Sequence, residues 1–342
     1  MKQFLLSCLC LLGLSSTLTA QDACLNDITN TLKERISLAG YAQVGYTFDD
    51  AGEKASNTFD IKRVIFMARG KITDKWSCYF MYSFANTGKI LEAYTEYQFL
   101  PQLTARIGQF KTMYTIENPM SPCFVELINC YSQSVNYLAG INGSDPLYGS
   151  TSGRDMGILI YGDLFDKYLS YNLAVMNGQG INLKDKNNEK DIVGSLMVNP
   201  LKWLSVGGSF VTGKGCAVAT STINPDIAIG ENYTRNRWSA GATIQTKPIS
   251  IRTEYLAGKD GHVKSDGYYA TASVHVLPKF DVVASYDYLN KNKAVADKQS
   301  NYIAGVQWWF YPKCRIQAQY TFCDPHEGGH SNLLQAQLQV RF

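Results

Sequence analysis

The sequence lacks a long apolar segment: after the first 20 of its 342 residues, no run approaches the roughly 20 apolar residues that a membrane-spanning helix needs. A multi-span helical membrane protein is therefore excluded. The formal net charge is only +3, so the strong basic excess of a nucleic-acid-binding protein is also missing. Aromatic residues make up 12% of the chain, and together with the low net charge this excludes a disordered protein.

The first twenty residues have the order of a secretory signal peptide. Lys2 is followed by an apolar stretch over residues 4–14 and by small residues that end at Ala20. We expect cleavage after Ala20, although Leu18 is larger than the usual residue three positions before the cut. Lipid attachment at Cys24 is disfavoured because the three residues before it form a poor lipobox. The sequence therefore predicts an exported protein.

The cysteines are too few and too dispersed for a small disulfide scaffold. The chain has nine, and Cys8 and Cys10 belong to the signal peptide, which leaves an odd number in the mature protein. Cys123 and Cys130 lie in one long connection. The sequence leaves open whether these two pair or remain free thiols.

From residue 37 onward, apolar and polar residues alternate with a period of two, which predicts β-strands with two different faces. The final segment is the clearest example, because apolar residues up to Phe342 alternate with Gln335, Gln337, Gln339 and Arg341. Soluble β-sandwiches also alternate, so further features are needed to decide the fold class.

Three features favour an outer-membrane barrel over a sandwich. The polar faces carry long side chains, which suits a water-filled lumen. Aromatic residues collect at strand ends, as in residues 308–311, and so resemble the girdles of outer-membrane barrels. The chain ends on Phe342, and a terminal aromatic residue of this kind resembles the membrane-insertion signal that the barrel assembly machinery recognises.

The predicted fold is all-β: a transmembrane antiparallel β-barrel of about 16 strands over residues 37–342. It follows a signal peptide (1–20) and a short periplasmic segment (21–36). Tight turns, several with proline, alternate with long polar connections predicted at 110–153, 178–189, 214–232, 259–266, 291–298 and 323–330. Because the interior of such a barrel is too wide for side chains to fill, the pattern predicts an aqueous channel across the outer membrane of a Gram-negative bacterium.

Several segments are specific enough to suggest a family. They are FDIKRV at 59–64, GKI at 70–72, LEAYTEY at 91–97, RIGQFK at 106–111, GRDMG at 153–157 and VMNG at 175–178. Together they resemble the phosphate-selective porin O and P family, over residues 37–180 in detail and elsewhere by strand pattern only. The resemblance implies a sixteen-stranded, trimeric, anion-preferring porin with an inward-folded third loop, about 110–153, as the constriction.

Basic side chains on the polar faces and at the third loop are the predicted functional residues. We expect seven of them to guide anions through the pore: Arg63, Arg69, Arg106, Lys111, Arg154, Arg252 and Arg315. Their predicted electrostatic partners are Glu92, Glu96 and Glu254. A structural salt bridge competes with the guiding role at each arginine, for instance between Arg106 and Glu92 or Glu96.

The third loop departs from what strict phosphate selectivity requires. Phosphate is held by several Arg or Lys donors in a confined site. Between Lys111 and Arg154 the loop instead carries Glu117, Glu126 and Asp145 and no basic residue. The sequence therefore predicts passive diffusion of small hydrophilic solutes with an anion preference and leaves the degree of phosphate selectivity open.

Two motifs suggest enzymatic chemistry but lack its context. Residues 326–330 spell H-E-x-x-H, a zinc-protease motif that works only on a helix, and here Pro325 and two glycines disfavour a helix. Ser273 and His275 share a strand face, but the sequence offers no third catalytic partner. We expect no metal, no cofactor and no enzymatic activity.

The alternative to a porin is a surface receptor or adhesion barrel with a closed lumen. The expected partners are small anions or other hydrophilic solutes, the lipid and lipopolysaccharide of the outer membrane, and the barrel assembly machinery. The resemblance alone adds a homotrimer. No nucleic-acid partner is expected.

Overall fold

The computed structural model describes residues 34–142, 144–149 and 151–342. The predicted signal peptide, Cys24 and nearly all of the 21–36 segment lie outside the described residues. Sixteen antiparallel strands form a closed barrel in which each strand pairs with its neighbours in the chain and the last strand pairs with the first. The predicted fold class, an antiparallel barrel of about 16 strands, is confirmed.

The strands cover the predicted barrel region, residues 37–342, from β1 to β16. They are β1 (Ile36–Asp49), β2 (Ser56–Lys71), β3 (Trp76–Ser83), β4 (Lys89–Leu100), β5 (Leu103–Lys111), β6 (Arg154–Leu164), β7 (Leu169–Met176), β8 (Asp191–Leu201), β9 (Leu204–Cys216), β10 (Asn232–Gln245), β11 (Ile249–Asp260), β12 (Val263–Leu277), β13 (Phe280–Asn292), β14 (Asp297–Tyr311), β15 (Cys314–Pro325) and β16 (Ser331–Arg341). One short helix, α1 (Gln133–Leu138), and a 3₁₀ turn (Pro146–Tyr148) lie between β5 and β6. Among the described residues, no helix is long and apolar enough to cross a membrane.

The period-two alternation of the sequence separates an outward from an inward face. On β16, Leu334 and Leu338 are exposed on the outside, whereas Gln335, Gln337 and Gln339 are almost completely buried on the inside. Because successive side chains of a strand point to opposite faces, the apolar set covers the outer surface, where hydrocarbon would contact it.

The connections divide the barrel into two different ends. At one end the strands are joined by turns of two to four residues, and at the other end lie most of the longer connections, including residues 112–153. The predicted long connection at 259–266 is wrong, because β11 and β12 extend until only Gly261 and His262 join them. Gly261 has φ +61°, a conformation that favours glycine and permits this tight hairpin.

Leu91 departs from the period-two alternation, which predicts an outward position for its side chain. The register between β3 and β4 shifts beside Leu91, because Met81 pairs with Glu92 whereas Tyr82 pairs with Ile90. Leu91 is the extra residue of this bulge and turns inward, where it packs with Ile65 and Met81.

The inner face is less polar than the alternation predicted. Leu159, Val193, Leu256 and Val283 are buried inside the barrel and form one apolar cluster with residues of the 112–153 connection, including Val135. These wall residues have apolar partners in the lumen, and their burial stabilises the position of that connection.

Candidate functional site

The third loop, predicted at about 110–153, is the connection between β5 and β6 and covers residues 112–153. Its side chains and backbone contact the inner faces of strands on several sides of the barrel. The Thr115 amide donates to Ser209 Oγ on β9 at 2.8 Å, and the Ile128 amide donates to Gln319 Oε1 on β15 at 2.7 Å. The Gln133 side chain donates to the Gln299 carbonyl on β14 at 3.0 Å. The third loop is thus bound to the wall at widely separated points.

One buried ion-pair network holds the first half of the third loop. Arg252 of β11 lies between two loop carboxylates, with its guanidinium 3.0 Å from Glu117 and 2.8 Å from Glu126. Arg252 is 3% exposed and the Glu117 side chain is fully buried. Because separating these buried charges would leave each without a partner, the network holds the loop against β11.

Glu254, predicted to pair electrostatically with a pore arginine, instead binds the loop backbone. Its two carboxylate oxygens accept the Ile116 amide at 3.0 Å, and one also accepts the Tyr269 hydroxyl at 3.1 Å. Burial raises the pKa of the neighbouring Glu117 carboxyl above its usual range, and the Arg252 guanidinium acts in the opposite direction. Glu254 and Arg252 therefore anchor successive residues of the loop.

A row of buried glutamines holds the second attachment point. Gln317 and Gln319 both donate to the Glu126 carbonyl at 2.8 Å, and Gln335 donates to Asn129 at 2.9 Å. Arg315, predicted to guide anions, is 1% exposed and donates to the Val125 carbonyl at 2.7 Å. It forms no ion pair within the described part of the chain, and its two terminal nitrogens donate to carbonyl and side-chain amide oxygens instead.

The helix α1 packs against the wall where that wall has no side chains. A Cβ added at Gly258 of β11 would lie 2.8 Å from Leu138, and one at Gly267 of β12 would lie 2.5 Å from Ser134. Glycine at these two positions allows the close approach of helix and strands. Arg237 of β10 binds Asp260 at 2.9 Å and donates to the Leu138 carbonyl.

Lys111, predicted to guide anions at the loop entrance, is buried and satisfied by the loop. Its ammonium donates to the Asn118 carbonyl at 2.7 Å and to the Tyr131 hydroxyl at 2.8 Å. The Met120 carbonyl accepts a third hydrogen bond. All three ammonium donors are thus used to fold the loop back toward β5.

A cavity of about 290 Å³ lies between the third loop and the wall formed by β2–β6. Five basic side chains and one carboxylate line it: Arg69, Arg106, Lys111, Arg154, Arg341 and Glu92. It is called the basic cavity below. The structure thus brings four of the seven predicted guiding residues together, and Arg63, Arg252 and Arg315 lie outside this group.

Ion pairs partly neutralise the basic cavity. Arg69 and Arg106 each lie 2.8 Å from Glu96, and Arg154 lies 3.0 Å from Glu92. Arg106 also lies 4.0 Å from the ring centroid of Tyr94. The Arg69 side chain remains 41% exposed, so it presents part of its charge to the lumen.

Arg341 is a lumen residue of the basic cavity that was not among the predicted guiding residues. Its guanidinium lies 4.3 Å from the ring centroid of Phe124 in the third loop, and it makes no ion pair with any described residue. The alternation along β16 predicts that the Arg341 side chain faces inward. Its position beside the third loop depends on contacts across the barrel, which the sequence pattern does not reveal.

A second lumen cavity of about 610 Å³ opens toward the end with the short turns. Arg252, Arg315, Glu126 and Trp309 line it, and Phe124 lines both this cavity and the basic cavity. Arg63 lies elsewhere, where it donates to Gln43 Oε1 at 2.9 Å and lines a third cavity of about 470 Å³.

In the described structure, neither of the two motifs that suggested enzymatic chemistry has the local geometry that its interpretation requires. Residues 326–330 connect β15 to β16 without helical structure, and no group of three metal-ligating side chains occurs among the described residues. His275 does have an acidic partner, contrary to prediction, because β12 and β13 bring Asp281 Oδ1 within 2.7 Å of its Nδ1. No hydrogen bond joins His275 to Ser273 in the described structure.

Cys123 and Cys130 are both buried in the third loop as free thiols. Burial raises the pKa of the Cys130 thiol above its usual value, so at neutral pH it carries its proton. Both residues therefore act as small apolar side chains in the packing of the loop.

Phe342 closes the barrel at the first strand. Its amide donates to the Gly40 carbonyl at 3.1 Å, and its exposed ring covers the Gly40 backbone on the outward face.

Removing Phe342 is expected to lower the amount of folded protein in the outer membrane severalfold, because the predicted insertion signal and two hydrogen bonds to Gly40 are lost. Heat-modifiability on gels of membrane fractions measures the folded amount. Val340→Ala, on the same face, is the matched control. Equal levels of all three proteins would contradict the assignment of Phe342 as an insertion signal.

The comparisons with known proteins agree with this architecture. The model of the family described as phosphate-selective porin O and P matches residues 35–127. A comparison with curated protein sequences gives no significant match. Three solved structures are similar over most of the chain at low sequence identity, and at such identity the likeness establishes the fold.

The anion-selective porin from Comamonas acidovorans has a TM-score of 0.70 at 13% identity, over 90% of this chain and 99% of that one. OprB of Pseudomonas putida has a TM-score of 0.68 at 9% identity, over 92% of this chain and 96% of that one. The trimer form of OmpT, an outer-membrane protein of Vibrio cholerae, has a TM-score of 0.65 at 12% identity, over 90% of this chain and 99% of that one. The resemblance to the phosphate-selective porin O and P family is thus confirmed over residues 35–127, and the sixteen-stranded barrel is a porin fold.

Proposed function

We propose that the protein is an outer-membrane porin through which small hydrophilic anions diffuse passively. The basic cavity carries the proposal, because its five basic side chains face only two carboxylates, Glu92 and Glu96. In a confined space with low-dielectric walls, an excess of one charge sign concentrates the opposite ion. Anions would therefore enter more readily than cations of the same size.

The third loop supplies the constriction in this proposal. It is bound to β9, β11, β14 and β15 by the contacts described above, and the basic cavity remains between it and β2–β6. Solutes would pass Phe124, which lines both the basic cavity and the 610 Å³ cavity. The constriction thus has a basic wall on one side and an aromatic ring on the loop side.

The reversal potential of the purified protein in a planar bilayer under a KCl gradient tests the proposal. We expect a potential of the sign set by chloride, because the lumen charge favours anions. A potential set by potassium would contradict the anion preference. Failure of a correctly folded barrel to conduct would favour the receptor or adhesion alternative, in which the third loop closes the lumen.

Phosphate or polyphosphate is the narrower substrate proposal. Phosphate is bound by several arginine or lysine donors, and several arginines line this one small cavity. Ion pairs with Glu92 and Glu96 already use some of the hydrogen-bond donors of these arginines. Adding phosphate during chloride conduction is expected to reduce the current. An unchanged current would restrict the proposal to a general anion preference.

A homotrimer is the proposed assembly. The similar OmpT structure is described as a trimer. On β2 of this chain, Phe59 is 81% exposed and Ile61 is 58% exposed, and a neighbouring protomer would cover such apolar residues. Light scattering of the protein in mild detergent is expected to give three chains per particle, and a monomer would contradict the proposal.

A further inference from the structure

An aromatic girdle runs across the outward face of β9–β15. Its members are Phe210, Trp238, Tyr255, Tyr268, Tyr286, Tyr302 and Phe322. Several adjacent ring pairs are in contact: Trp238 and Tyr255 at 5.5 Å, Tyr286 and Tyr302 at 5.1 Å, and Tyr302 and Phe322 at 6.3 Å between centroids. Girdles of this kind lie at the boundary between the hydrocarbon and the headgroups.

Three lysines follow this girdle toward the end with the long connections. Lys259 and Lys264 are directly opposite each other across β11 and β12, and both are exposed. Trp238 pairs with Ala257, which is two residues before Lys259, so the lysines lie one outward-facing step beyond the ring. The Lys293 amide donates to the Lys264 carbonyl at 2.9 Å, which places a third lysine beside them. These three residues are called the rim lysines.

The rim lysines carry an excess of charge. Like charges directly opposite each other on neighbouring strands are unfavourable, and Lys259 and Lys264 have no ion pair with any residue that the structure describes. An acidic neighbour on this face, Asp266, binds Lys293 and also accepts the Tyr255 hydroxyl at 3.1 Å. The arrangement therefore has a surplus of positive charge that an external anion would relieve.

A groove of about 650 Å³ connects this charge to the girdle. The three rim lysines line its upper part together with Asn236, and Phe210 and Trp238 line its lower part. A ligand that fits such a groove has an anionic head and an apolar body. Because the groove lies on the outside of the barrel, a solute in the lumen would not reach it.

We propose that this groove binds a phosphorylated, multiply acylated glycolipid of the outer leaflet. Its phosphates contact the rim lysines, and its acyl chains cover Phe210 and Trp238. A basic side chain near a membrane surface attracts an anionic headgroup with a modest free energy, and three adjacent lysines act together on one headgroup. The inference rests on the proposed outer-membrane location, which places the long connections and the rim lysines at the outer leaflet.

The test is native mass spectrometry of the full-length purified protein in detergent, titrated with diphosphorylated lipid A. We expect the wild-type protein to bind the lipid and the double variant K259Q/K264Q to bind it at least about tenfold more weakly, because two headgroup contacts are lost. K259R/K264R is expected to retain binding. The matched control, K202Q/K279Q, removes two exposed lysines from turns at the opposite end and is expected to bind as the wild type does.

Equal lipid binding by K259Q/K264Q and by the control would overturn the proposal. Equal binding of dephosphorylated lipid A would also overturn it, and so would displacement of the lipid by millimolar inorganic phosphate, which would indicate a site for the free anion. The same preparations are examined for conductance. A barrel that binds lipid A without conducting would refute the porin proposal alone, whereas a conducting barrel without lipid binding would refute this inference alone.

Discussion

Replacing Arg252 with alanine is expected to raise the single-channel conductance severalfold and to reduce the anion preference. The change leaves Glu117 fully buried without its cation and removes the partner of Glu126. Removing one member of a buried ion pair typically costs about 3–5 kcal/mol, because a buried charge remains uncompensated. We expect the third loop to detach from β11, because detachment exposes the Glu117 carboxylate to water, and the lumen then widens. Current steps in planar bilayers measure the effect.

A double-mutant cycle separates the ion pair from other effects of the substitution. In R252A/E117A the uncompensated Glu117 charge is absent, so we expect a smaller rise in conductance than in R252A alone. Arg235 gives the matched control, because it is a buried arginine whose ion pair, with Asp191 of β8 at 2.6 Å, does not involve the third loop. Its contact with the loop is the Tyr148 ring, whose centroid lies 5.9 Å from the guanidinium. R235A is therefore expected to keep the wild-type conductance. Equal conductance of R252A and R235A would show that Arg252 does not hold the loop.

The strands were predictable from the sequence because a membrane barrel imposes a local rule. Each strand must present an apolar face to hydrocarbon, and successive side chains of a strand point to opposite faces. Apolar and polar residues therefore alternate along the strand, as the outward Leu338 and the inward Gln339 show. The rule failed where local geometry departs from it. Leu91 sits in a bulge, and Gly261 allows a two-residue hairpin where a long connection was predicted.

The site was predictable only in part, because its contacts join residues far apart in the chain. The period-two alternation places Arg106 and Glu96 on the inner face, and they form one of the two salt bridges considered for Arg106. The alternation does not reveal which loop residue contacts Arg252, since Glu117 lies 135 positions away in the chain. The acidic residues of the loop left the degree of phosphate selectivity open, and in the structure Glu117 and Glu126 form ion pairs with Arg252 that anchor the loop.

The double variant R69Q/R341Q is expected to lose most of the anion preference while keeping a folded barrel. Arg69 is partly exposed and Arg341 has no carboxylate partner among the described residues, so both present charge to the basic cavity. With both neutralised, three basic side chains remain against Glu92 and Glu96, and the net lumen charge becomes small. The reversal potential under a KCl gradient should therefore move toward zero.

Three matched measurements distinguish charge from shape in this result. Arg341 also packs against Phe124, so R341K, which keeps the charge but loses the planar contact, is expected to preserve the selectivity and alter mainly the conductance. K202Q/K279Q removes two charges from exposed turns and should leave the reversal potential unchanged. Raising the salt concentration should reduce the wild-type preference more than that of R69Q/R341Q, because screening acts only on the charge that is present. An unchanged reversal potential in R69Q/R341Q would mean that size, and not the field of the basic cavity, selects the solute.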